Sequence, residues 1–170
     1  MSFKKQVLYD LRYTYSGPFN VEELYEEIDK WISEHGYEKE PKRKTEHITK
    51  EGKRIQYHIE IHTHLDDLHH GIIVLTAYME NVKDISVKKK GKKSSANKGD
   101  VMIHIDGFLE SHTHGTFWAN KPIFYFLRTL YDRFVWAVWA DKHDGAVVGQ
   151  CHDLFKLARA FFNIQKYAYE

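Results

Sequence analysis

Lys53-Arg54-Ile55-Gln56-Tyr57-His58-Ile59-Glu60-Ile61-His62-Thr63-His64 alternates apolar and polar residues with period two. Side chains on a β-strand alternate between faces, so Ile55, Tyr57, Ile59 and Ile61 share one face while Gln56, His58, Glu60, His62 and His64 share the other. Such a strand belongs to a sheet with one covered face and one polar face. That pattern fits an antiparallel sheet better than a parallel one, which is buried on both sides.

On its N-terminal side, Glu51-Gly52 separates residues 53–64 from a charged candidate strand at 43–50, as a hairpin turn would. Further back, Asn20 precedes Val21-Glu22-Glu23, an N-cap residue followed by carboxylates suited to the positive end of a helix dipole. Leu24, Ile28, Trp31 and Ile32 then recur at helical spacing, which predicts a helix to about Gly36. Ahead of it, residues 6–15 alternate as a first strand, with Val7, Tyr9, Leu11, Tyr13 and Tyr15 on one face and Ser16-Gly17-Pro18 as its end.

On the C-terminal side, Asp66-Asp67 opens a turn into residues 71–79, apolar on both faces and therefore suited to a central strand. The chain continues through Ile85 and Val87 to a lysine-rich hairpin around Gly91. A further strand then alternates Val101, Ile103, Ile105, Gly107 and Leu109 against Met102, His104, Asp106, Phe108, Glu110 and His112. From Asn120, Ile123, Phe126, Leu127, Leu130, Phe134 and Val138 form a helical stripe that Gly145 is expected to break. A last helix repeats Val147, Cys151, Leu154, Phe155, Ala158, Phe161 and Phe162. The expected architecture is α+β in the order β-α-β-meander-α-α, an antiparallel sheet packed on two long C-terminal helices in a single domain over residues 1–170.

The bulk properties agree with one globular core. A chain of 170 residues with 42% hydrophobic and 29% charged content can bury a core, and a net charge of +1 lacks the global basic footprint of a dedicated nucleic-acid binder. The lone Cys151 cannot pair within the chain, and Met1-Ser2-Phe3-Lys4-Lys5 has no apolar signal region, so a cytoplasmic location without membrane or cofactor is expected.

The order of strand, helix, curved meander and C-terminal helices is similar to the START-like, or SRPBCC, helix-grip fold. That resemblance implies a bent sheet wrapped around a long helix with a ligand cavity between them. Residues 75–167, with Gly107-Phe108-Leu109-Glu110, Phe117-Trp118, Pro122, Phe126-Leu127-Arg128 and Leu130-Tyr131-Asp132-Arg133-Phe134, resemble uncharacterised small conserved archaeal proteins. This second resemblance includes no catalytic motif and transfers no functional residue.

Three sets of residues could carry function. Aromatic side chains are abundant, and Tyr125, Trp136 and Trp139 fall on the polar flank of their expected helix, where they suit a small-ligand or protein-partner surface. A non-enzymatic ligand- or protein-binding domain is the leading reading. The second set is Lys88, Lys89, Lys90, Lys92, Lys93 and Lys98, a cationic hairpin able to contact nucleic acid or the ribosome through phosphates. It lacks aromatic stacking partners, and lysines at a hairpin tip also discourage edge pairing. The third is a metal-dependent enzyme site at His58, His62, His104 and His112, because imidazoles with nearby carboxylates ligate first-row divalent metals. The plainer reading of those histidines is the wet side of a one-sided sheet. His69-His70 reads as part of a turn. Phosphate-cradling glycine loops, Cys-x-x-Cys pairs, His-Glu-x-x-His and nucleophile elbows are all missing from the sequence, and Cys151 reads as a small buried hydrophobe.

Overall fold

The computed structural model describes residues 2–40, 43–89, 92–112, 126, 130 and 136–169, with side chains for 4–40, 43–86, 95–112, 126, 130 and 142–169. Its elements are β1 (Ser2–Phe19), α1 (Val21–Glu34), β2 (Glu38–Lys39), β3 (Arg43–Thr49), β4 (Gly52–His64), β5 (His69–Lys89), β6 (Lys92–His112) and α2 (Trp136–Tyr169). The protein is an α+β fold. Its six strands form one antiparallel sheet in the order β1-β6-β5-β4, with β2 and β3 sharing the far edge of β4.

The alternation of β4 repeats across the sheet as rows. Ile59 pairs with Leu75, Leu75 with Ile105, and Ile105 with Leu11; the next row is Tyr57, Ala77, Ile103 and Tyr13. These side chains face the helices, and Ile59, Leu75, Ala77, Ile103 and Ile105 are wholly buried. β5 is the middle strand, which explains why it is apolar on both sides: Ile73 and Leu75 face the helices while Ile72 is buried on the outer face.

Asn20 caps α1, its Oδ1 accepting from the backbone N–H groups of Glu22 and Glu23 at 3.0 and 3.3 Å. The helix buries Leu24, Tyr25, Ile28, Trp31 and Ile32, and the Tyr25 and Tyr57 rings lie 4.5 Å apart. Burial pushes the Tyr57 phenol well above its usual range, assisted by Asp29 and Tyr25. Beside them, Phe162 of α2 stacks on Tyr15 at 4.7 Å and packs against Phe19 and Tyr13.

Three sequence expectations change. β1 does not end at Ser16 but runs on to Phe19, with Gly17 opposite Gly99 and Pro18 opposite Lys98. β1 is an edge strand, where proline is tolerated because part of the backbone faces solvent rather than a partner strand. Tyr9 does not share the covered face: a bulge shifts the register between Leu8 and Leu11, Asp10 takes a left-handed φ of 48°, and Tyr9 is turned out to solvent. Gly145 does not break the last helix, because α2 runs unbroken from Trp136 through Gly145 and Gly149 to Tyr169. A helix-interior glycine costs about 1 kcal/mol against alanine, less than burial of Val147, Cys151 and Leu154 contributes. The rest of the helix expected from Asn120 lies outside the described residues, apart from helical positions 126 and 130. Among the described residues, no helix is long and apolar enough to cross a membrane.

Candidate metal centre

Two glycines let α2 lie close on the sheet. A Cβ on Gly107 would stand 2.9 Å from Cys151 Sγ and 3.2 Å from Val147 Cγ1, and one on Gly71 would meet Thr63 Oγ1 and stand 3.0 Å from Val147 Cγ2. Thr63 Oγ1 donates to Gln150 Oε1 at 3.0 Å, and Lys5 pairs with Asp144 at 2.5 Å. The start of this docked stretch is therefore held over the end of the sheet where β4 turns into β5. The covered stripe Val147, Cys151, Leu154, extended back by one helical step of four, arrives at His143.

The turn beneath is built on Asp66. Its Oδ1 accepts from the backbone N–H of Leu68 at 2.9 Å and of His69 at 2.8 Å, the side-chain-to-backbone pattern by which aspartate organises turns. The same oxygen lies 2.7 Å from His69 Nδ1, and Asp66 Oδ2 lies 2.9 Å from His143 Nε2. The two imidazoles stack, with centroids 4.5 Å apart and planes 20° from parallel. At the adjoining end of β6, His112 donates its N–H to Leu68 O at 2.8 Å.

Asp66, His69 and His143 thus bring one carboxylate and two imidazole nitrogens within 4.8 Å of one another. The His69 and His143 side chains are only 11% and 10% exposed, whereas Asp66 is 37% exposed, so the cluster has a closed side and an open side. Burial alone would raise the Asp66 carboxyl. The hydrogen bonds from Leu68 and His69 outweigh it and hold the group down at about 2, leaving a carboxylate at neutral pH. Two histidines and one carboxylate are a donor set for zinc and other first-row divalent ions. Ligand atoms of a tetrahedral zinc with bonds of about 2.0–2.1 Å stand about 3.3 Å apart, so the present 2.7 and 2.9 Å contacts, made to the two different oxygens of Asp66, would have to open by about half an ångström for an ion to take their place.

The sheet-face histidines expected from the sequence do not converge. Thr76 stands between His58 and His104 in the register, which puts those two about 10 Å apart, twice the strand spacing. His58 Nδ1 lies 3.0 Å from Thr76 Oγ1, and His104 Nδ1 lies 2.5 Å from Asp10 Oδ1. His62 sits opposite Ile72, its Nε2 3.4 Å from Glu40, where Glu40, Glu60 and His62 form a second, more exposed donor group. His112 ends β6 beside His70, at 5.2 Å between rings.

Lys88 pairs with Lys93 and Lys89 with Lys92 along the backbone of the β5–β6 hairpin. Their side chains and all of Lys90 lie outside the described residues, and Lys98 is exposed. Tyr125 and the side chains of Trp136 and Trp139 also lie outside them.

No family model, curated protein or solved structure matches this chain.

Asp66 and His143 were not among the residues the sequence pointed to. Asp66-Asp67 reads locally as a turn, and a helix broken at Gly145 separates His143 from the stripe that carries it. The available signal was that stripe, continued through the glycine.

Proposed function

We propose that this protein binds a divalent first-row transition metal ion through Asp66, His69 and His143. The observation that carries the reading is the convergence of three ligand atoms from the β4–β5 turn, β5 and α2, with both imidazoles nearly buried. A salt bridge built only for stability would gain little from enclosing two ionisable rings at such a junction, since burying charge costs free energy unless it is compensated. A metal ion offers that compensation and uses the neutral imidazoles as donors. The more exposed Asp66 side leaves room for water or a small molecule as a further ligand, the arrangement by which sites with three protein ligands act as Lewis acids.

The test is a zinc titration by competition with a chromophoric chelator on tag-free protein, alongside Asp66→Asn, His69→Ala and His143→Ala. One tight site per chain, weakened at least 100-fold in every variant, supports the proposal. Absence of a site, or full affinity in His143→Ala, overturns it.

A further inference from the structure

The outer face carries a second constellation, independent of the metal centre. Three successive rows of the β5-β6-β1 sheet read Thr76, His104 and Arg12; Tyr78, Met102 and Thr14; and Glu80, Asp100 and Ser16. A groove of about 510 Å³ runs over them, lined by His104, Tyr78, Met102, Asp100 and Ser16 among others. That volume lies within the usual range for small-molecule sites. Its floor is apolar and open, with Tyr78 40% and Met102 36% exposed.

Each end of the groove is fixed by a residue in left-handed conformation at a bulge. Asp10, φ 48°, is held by Arg12 at 2.7 Å and by its own N–H donating to Asp106 at 2.7 Å, and it fixes His104 through Nδ1. With Nδ1 facing a carboxylate, the neutral ring carries its proton there, leaving Nε2 as an acceptor, and Nε2 bonds to no described residue. At the other end Asn81, φ 54°, donates to Asp100 at 3.3 Å, and Ser16 donates at 2.6 Å. Both donors are neutral, and Asp100 makes no ion pair among the described residues, although Lys83 and Lys98 line the neighbouring hollow with it; Glu80, by contrast, is paired with Arg54 at 3.2 Å. No Lys or Arg is among the residues lining the groove. Asp100 and His104 lie four residues apart on one strand, about 13 Å between backbones by strand geometry.

We propose that this groove binds a small elongated organic cation, with its ammonium on Asp100, a flat apolar body on Tyr78 and Met102, and a hydroxyl donating to His104 Nε2. This would give the small-ligand class read from the sequence a place on the outer face. Tyramine is a probe with those three parts. Phenethylamine lacks the hydroxyl, and 4-(2-hydroxyethyl)phenol replaces the ammonium with a neutral group.

The test is calorimetric titration of the full chain with the three probes, on wild type, Asp100→Asn and His104→Gln. Methyl NMR of ¹³C-methionine-labelled wild type runs in parallel and does not depend on any variant folding. The expected result is that tyramine binds at least ten-fold tighter than the neutral phenol and loses at least ten-fold in Asp100→Asn. His104→Gln should bring tyramine down to the level of phenethylamine without weakening phenethylamine itself. The Met102 methyl should shift with tyramine while that of buried Met79 stays. Equal binding of tyramine and the neutral phenol, no binding of tyramine, or a Met102 signal that does not move would overturn the proposal.

Discussion

Cys151 Sγ of α2 stands over Gly107 of β6 so closely that a Cβ on that glycine would lie 2.9 Å from the sulfur. Gly107→Ala should therefore destabilise the protein by about 1–3 kcal/mol, the usual cost of overpacking. Cys151→Ala removes the obstructing atom and should recover part of that loss. Urea unfolding of both single variants and the double variant is expected to give a coupling of at least about 0.5 kcal/mol. Strict additivity would mean that the helix yields without resistance and that its close approach does not position His143.

The same cysteine should be chemically silent. Burial pushes its thiol up to about 12, with Asp106 adding to the effect, so the nucleophilic thiolate is absent near neutrality. A thiol reagent at pH 8 should react with urea-unfolded protein at once and with native protein only at the rate of opening. The contribution of Cys151 to stability is fully present below its unfolded value near 9 and is lost as pH rises through about 12. Buried Tyr25 and Tyr57, both raised chiefly by burial, act in the same direction. Thermal midpoints should thus fall steadily above pH 9, and a flat alkaline profile would contradict this packing.

Asn20→Ala should cost about 1 kcal/mol, since it leaves the N–H groups of Glu22 and Glu23 without the side-chain acceptor. Asn20→Asp should keep most of the stability. Denaturant midpoints measured on the two variants separate loss of the cap from general disturbance of the turn.

The sheet was legible because period-two alternation is a local property. Residues 53–64 alone fixed which side of β4 is covered, and Ile103 and Ile105 repeated the pattern in β6. The β1 bulge was not legible: alternation carried Tyr9 to the covered face, and only the pairing of Leu8 with Gly107 and Leu11 with Ile105 reveals the extra residue. The candidate metal centre was hidden for a different reason. Its three side chains meet through the docking of α2, a contact between residues 66–69 and 143 that no spacing in the sequence encodes, and Gly145 signalled a break that tertiary packing overrode.

Ligand placement is settled most directly by diffraction from crystals grown with zinc and recorded on both sides of its absorption edge. The expected result is one anomalous peak about 2.0–2.2 Å from an oxygen of Asp66 and one nitrogen each of His69 and His143. A map with no peak there, in which Asp66 still bonds both imidazoles directly, would reduce the cluster to a hydrogen-bonded clasp between the β4–β5 turn and α2.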